Sequence, residues 1–222
     1  DSMAATHVNP TRMELTRLKK KLVTATRGHK LLKDKRDELM RQFLDKVREN
    51  KILREKVEEG IRQANKNFVL ARAGMPDEAV NVALMAPKQE VSLEMDEKNI
   101  MSVEIPVFHY KTRTSDASDI YSYGFAFTSG DLDAAVKSLA DLFPDMLRLA
   151  ECEKSCQLMA GEIEKTRRRV NALEHIMIPE MQEKIKYITM KLDENERSTQ
   201  IRLMKVKDMM LEQTHHYSEK MS

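Results

Sequence analysis

Between Pro10 and Gly74 the apolar side chains return every three to four positions, the spacing that lines one face of an α-helix. Leu15, Leu22, Phe43 and Val57 fall on one heptad register, and Leu18, Ala25, Leu32, Leu39 and Leu53 on the other. The same registers hold His29, Arg36, Lys46, Asn50 and Gly60. Polar seam residues weaken pairing but fix register and partner choice, and Gly60 lets another backbone come close. Asn9 as N-cap, with Pro10 at the first helical position, opens the helix, and Gly74-Met75-Pro76 stops it at about Ala73. At 1.5 Å per residue the helix is on the order of 90–95 Å long. A helix of that length needs a partner along it.

The second half supplies one. Thr128 and Asp131 have capping-box spacing. After them Leu132, Val136, Leu139, Phe143, Met146, Ala150, Ile163, Val170, Leu173, Met177, Met181, Ile185, Ile188, Leu192, Leu203, Val206 and Met210 carry a three-four pattern. Pro144 and Pro179 interrupt it. Because the stripe resumes beyond Pro179, a kink is expected there rather than a stop. Two long helices of opposite sense should pair antiparallel, Leu32–Leu39 facing Val170–Met177.

The segment between them reads differently. Pro76–Met85 suits a short helix. Val91, Leu93 and Met95 alternate with polar residues, as do Met101, Val103 and Ile105, on either side of an Asp96-Glu97-Lys98-Asn99 turn: a hairpin signal. Lys111–Asp119 reads as a loop. Tyr121, Tyr123, Phe125 and Phe127 alternate again, and with Tyr110 they gather five of the chain's eleven Tyr and Phe residues. The expected fold is mainly α: a long antiparallel two-helix coiled coil (helices 9–74 and 131–213) with a small β-hairpin-containing head, 75–130, between the helices and at their hairpin end.

Composition supports a seam over a thick core. One third of the 222 residues are charged, 5% are aromatic and none is Trp, the profile of long helices. The sixteen Met residues suit soft packing against changing neighbours. The net charge of +2 hides a polarity: ten Lys and Arg against Glu14 and Asp34 between Arg12 and Arg36, and seven acids against Lys88 and Lys98 between Asp77 and Glu104. No apolar run approaches the roughly 18 residues that cross a bilayer, and no signal-peptide pattern opens the chain. A cytoplasmic protein without direct membrane insertion is expected, with Asp1-Ser2 read as an expression scar. Cys152 and Cys156, four apart on a helix, read as reduced, semi-buried thiols.

Motifs of catalytic chemistry are missing. There is no phosphate loop, dinucleotide turn or His-Glu-x-x-His pair. Cys-x-x-x-Cys without a nearby His is a weak metal signal, and His215-His216 reads as a frayed terminus. No cofactor, metal or catalytic residue is expected. Lys19-Lys20-Lys21 and its neighbours could neutralise phosphates, but no recognition fold or aromatic pattern accompanies them, so nucleic acid is not an expected partner.

One stretch exceeds what a plain helix needs. Thr166-Arg-Arg-Arg-Val-Asn-Ala-Leu-Glu-His-Ile-Met-Ile-Pro179 combines three arginines, an Asn and a His in the stripe, and a proline. It closely resembles the signature of the family of D subunits of rotary V-type ATPases. Asn9-Pro10-Thr11-Arg12, Gly28–Leu39 and Asn99–Phe108 are similar to other parts of that family, so the resemblance covers most of 9–210. Ser102 stands where Gly is common in the family.

The resemblance implies a non-catalytic central-stalk rotor, the axle of the machine. It would transmit torque between ATP hydrolysis in a ring of catalytic and nucleotide-binding subunits and ion movement in the membrane sector. The small F subunit of the stalk and a membrane-rotor coupling subunit would be its other partners, and its place would be peripheral to the membrane through the complex. By analogy residues 12–36 and 195–212 face the ring, and 85–127 with the adjoining helix ends face the companion subunit and the coupler. Interface candidates are Arg12, Lys19, Lys20, Lys21, Arg27, Arg167, Arg168, Arg169, Asn171 and His175, with Ile100, Val103 and Ile105 in the head. A coiled-coil scaffold would explain the seam but not the Arg167–Pro179 run.

Overall fold

The computed structural model describes residues 8–114, 116–124 and 128–219, except the side chains of 117 and 213–219. Phe125, Phe127, Asp1-Ser2 and the His215 and His216 side chains lie outside that description. In order come α1 (Arg12–Gly74), α2 (Asp77–Leu84), β1 (Val91–Ile100), β2 (Val103–Thr112), a 3-10 turn (Ala117–Ile120), α3 (Gly130–Ala172), a π-helical turn (Leu173–Met177) and α4 (Ile178–Glu219). The chain divides into two compact units: residues 1–34 with 166–222, and residues 35–165. Both long helical arms contribute to each.

The α1 cap sits two residues later than the sequence suggests. Thr11 Oγ1 accepts the Glu14 N–H at 3.2 Å, and the Leu15 N–H bonds the Thr11 carbonyl at 3.0 Å. Thr11-x-x-Glu14 is therefore the helix start, with Asn9-Pro10 outside it. At α3 the capping-box expectation fails as well, because the Thr128 hydroxyl donates back to the Gly124 carbonyl at 3.0 Å. Pro144 does not end α3, which continues through it.

In the 35–165 unit the heptad reading holds in detail. Leu39 and Val57 are buried, and Arg36, Phe43, Lys46, Asn50, Leu53 and Gly60 are half-buried, polar members included. The facing seam of α3 runs through Leu132, Ala135, Leu142, Cys152, Ser155, Met159 and Ile163, all buried. Four of the stripe positions expected there are not part of it: Leu139, Met146 and Ala150 are exposed and Phe143 is half-buried. The apolar period skipped Ser155, whose hydroxyl is satisfied by the Glu151 carbonyl at 2.7 Å and so costs little to bury. Lys56–Asp145 (2.6 Å), Cys152 Sγ on the Lys46 carbonyl (3.4 Å) and Lys35–Glu162 (3.2 Å) show α1 and α3 running antiparallel. Leu39 packs with Met159 and Ile163, about two to three turns earlier on the second arm than the Val170 end of the expected Val170–Met177.

The hairpin is longer than expected, and its turn lies elsewhere. Ten residue pairs run from Val91–Thr112 to Ile100–Val103, so Asp96–Asn99 belong to β1. Met101 and Ser102 make the turn with φ of 51° and 71°, the two-residue geometry that matches strand twist. The Asn99 side chain supports it by accepting the Ser102 N–H at 3.0 Å. The ribbon does not sit beyond the helices but runs back along them. Val103 and Ile105 join Leu39, Met159 and Ile163, the Phe108 N–H reaches Glu151 at 3.3 Å, and Tyr110 meets Phe143 edge-on at 5.7 Å. A second cluster, of Ala71, Met75, Val80, Ala83 and Leu132, ties α2 to the helix ends. Residues 121–124 form no strand; Tyr123 instead bonds Asp133 at 2.8 Å.

In the other unit α1 pairs with the end of α3 and with α4. His29 meets Glu174 at 3.3 Å and Arg12 meets Glu196 at 3.8 Å. Leu18, Thr166, Val170 and Ile188 are buried there. Pro179 is absorbed by the π-turn, in which the Ile178 N–H bonds the carbonyl of Leu173, five residues back. That turn inserts one residue into the seam. Half-buried Leu173 is followed by half-buried Ile178, then Met181, Ile185 and fully buried Ile188. Met177, expected in the stripe, is turned out and 47% exposed.

Candidate partner interfaces

The two units differ in charge. Residues 1–34 and 166–222 hold nineteen Lys and Arg against twelve Asp and Glu, and residues 35–165 hold nineteen against twenty-four. In the basic unit Lys19, Lys20, Lys21 and Arg27 lie on the exposed face of α1, and Arg167, Arg168, Arg169, Asn171 and His175 are exposed around the end of α3 and the π-turn. Arg12 is exposed beside Glu196. These ten candidates share one unit because the seam positions between them (Leu18, Leu22, Thr166, Val170) face the partner helix and leave the charges outside.

Beyond Glu196 the pattern changes. Since α1 begins at Arg12, α4 runs on past it. Ile201, Leu203, Met204, Val206 and Met209 are all at least half exposed, Leu203 at 64%. Leu203 and Val206 were expected in the pairing stripe, but among the described residues no helix lies opposite them. A single helix that is apolar on several faces and uncovered has surface suited to another protein.

The head candidates divide. Val103 and Ile105 are internal, packed under β2 against Leu39 and Met159, and Ile100 packs against the same cluster. Val103 and Ile105 are buried within this chain, whereas Ile100 is only half-buried. The alternation that flagged them marked the inner face of the ribbon. Val91, Leu93 and Met95 are exposed apolar residues of β1, and they carry the same alternation in the sequence.

The perturbed titrations have local causes. Glu38 is pulled down to about 2 by hydrogen bonds from Arg41 and then Gln42. Glu94 is lowered by Lys111, and Glu194 by Lys191. Burial, then the neighbouring Cys156, pushes the Cys152 thiol up to about 11; both cysteines are free thiols. Each shifted carboxylate lies on a solvated surface beside its partner rather than in a cleft. Among the described residues no three His, Cys, Asp or Glu side chains gather as a metal site, and no helix is long and apolar enough to cross a membrane.

Known proteins share this sequence over nearly its whole length. Residues 14–208 match the family model that describes the D subunit of ATP synthase. The V-type ATP synthase D subunit of Acetivibrio thermocellus is 64% identical over 220 residues, covering 99% of both chains. That of Clostridioides difficile is 63% identical over 209 residues, 94% of each chain. A third, of Thermoanaerobacter sp., is 56% identical over 94% of this chain and 99% of its own. On that match, which spans both helical arms and the hairpin, the chain belongs to the family of V-type ATP synthase D subunits and is a component of that rotary complex.

Proposed function

We propose that this chain is the non-catalytic central rotor of a V-type ATPase, carrying torque between the catalytic ring and the membrane sector. The observation that carries the reading is the uncovered end of α4, where Ile201, Leu203, Met204, Val206 and Met209 face solvent beyond the start of α1. A helix with that surface is stable in a complex that encloses it. Residues 12–36 and 195–212 face the ring, with Arg12, Lys19, Lys20, Lys21, Arg27, Arg167, Arg168, Arg169, Asn171 and His175 as its polar contacts. The acidic, hairpin-bearing region, residues 85–127 with the adjoining helix ends, meets the small F subunit of the stalk and the membrane-rotor coupling subunit. β1, with Val91, Leu93 and Met95 exposed, offers the apolar part of that surface.

A two-helix coiled coil suits the task. Torque needs an element held by continuous side-chain contact, and a seam with polar residues at fixed positions resists slippage. An asymmetric shaft can also bias equivalent ring sites into different states, through contacts that differ from site to site.

The test is truncation. A chain ending at Ser198 loses the helical residues 199–219 but should keep the remaining helices paired and its companion-subunit binding, because Arg12–Glu196 and Ile188 are kept. It should fail to co-elute with the catalytic ring. Undiminished ring binding by the truncated chain would contradict the placement.

A further inference from the structure

The seam needs one extra residue between Leu173 and Ile188, but several positions could hold it. Met177 and Ile178 are adjacent, both apolar, and compete for one seam position: Ile178 is half-buried and Met177 is 47% exposed. If the π-turn moved toward the C-terminus, α-helix would continue through Met177, which would enter the seam, and Ile178 would turn outward. Nothing in hydrophobicity separates the two arrangements. No residue of the turn is fully buried, and only Leu173 at its start and Ala172 before it are half-buried, so packing within the turn does not by itself choose between Met177 and Ile178.

Pro179 does separate them. The observed turn is closed by the Ile178 N–H on the Leu173 carbonyl. The first step toward the C-terminus would need the N–H of residue 179 on the Glu174 carbonyl, and proline has none. In the opposite sense, a plain α-helix through this point would press the proline ring on the carbonyl of His175, four residues back. The cross-helix contact of His29 with Glu174, at 3.3 Å, ties the turn to α1 on the same side.

We propose that Pro179 is a register lock: it pins the π-turn at Leu173–Met177 and thereby selects Ile178 over Met177 for the seam between α1 and α4. The functional meaning rests on the rotor reading. A twisted α4 would then turn with α1 and not slip by one residue. The lock itself belongs to the isolated chain and is tested there.

Methionine oxidation by dilute hydrogen peroxide, read by mass spectrometry, reports the register, because buried thioethers react slowly. In the unaltered protein Met177 should oxidise alongside exposed Met204 and Met209. In Pro179→Ala, Met177 should slow by about twofold or more, the change expected once half the molecules hold it in the seam, while Met204 and Met209 keep their rates. Ile178→Ser with Pro179 retained should leave the Met177 rate unchanged, since the proline still bars the shift. An unchanged Met177 in Pro179→Ala, or a protected Met177 in Ile178→Ser, overturns the lock. Co-elution of the unaltered chain with the ring tests the rotor reading separately, so the two can fail independently.

Discussion

Gly60 and Leu142 meet so closely that a Cβ on the glycine would lie 2.6 Å from Leu142 Cδ1 and 3.3 Å from its Cγ. The close neighbour is a buried leucine side chain, not the backbone that the sequence suggested. Alanine at 60 gains about 1 kcal/mol of helix propensity but forces the whole isopropyl group to move, which costs about 1–3 kcal/mol. Gly60→Ala should therefore lower stability by about 1 kcal/mol. At Gly28 nothing lies within 4 Å, so Gly28→Ala should gain about 0.5–1 kcal/mol. Urea titration of the helical signal distinguishes the two, and a gain at both positions would disprove the contact.

Ser102 occupies a left-handed position with φ of 71°, a conformation that costs an L-residue about 1–2 kcal/mol. Glycine removes that cost and keeps the backbone N–H that Asn99 accepts. After the entropy of the freer unfolded chain is subtracted, Ser102→Gly should raise stability by up to about 1 kcal/mol. Slower hydrogen exchange across β1 and β2 would show it; faster exchange would contradict the turn geometry.

Leu39 is fully buried and joins the helices to the ribbon through Met159, Ile163, Val103 and Ile105. Leu39→Ala should cost about 2–5 kcal/mol and should loosen β2, seen as protease cleavage between 103 and 112. Met95→Ala, on the exposed strand, should stay within about 0.5 kcal/mol. Equal losses from the two would mean the ribbon is not anchored at Leu39.

Cys152 titrates at about 11 when folded against an ordinary 9.0. Folding thus favours the protonated thiol. Its contribution to stability is complete below about pH 9 and is lost as pH rises through about 11. Iodoacetamide at about pH 8, below both values, should modify Cys152 far more slowly in the folded chain than in urea, with the folded rate climbing above about pH 10. Equal folded and unfolded rates in the first condition would exclude the burial.

Much of the fold was legible because a heptad repeat states its own geometry. His29, Arg36, Lys46 and Asn50 were placed in the seam by period alone, and the structure leaves each of them half-buried. Four things were not legible. Met177 was assigned to the stripe because a π-turn inserts a residue that no periodicity reveals. The Asp96–Asn99 turn was placed on polarity, but Asp96 and Glu97 lie in the ladder and Met101-Ser102 takes the left-handed positions. Alternation marks the face that carries Val103 and Ile105 without saying that Leu39, Met159 and Ile163 cover it. Leu203 and Val206 erred the other way: periodic apolar residues were read as paired where α1 had already ended.

The most direct test of the rotor is to watch it turn. A cysteine replacing Met95, which is 68% exposed, would carry a bead, while the catalytic ring is fixed to a surface and ATP is added. Cys152 and Cys156, whose thiols burial pushes up, should react slowly and leave that label dominant. A rotor gives one chain per ring and bead rotation in a single direction that stops without ATP. A stationary bead over a ring that hydrolyses ATP equally well with and without the chain would contradict it.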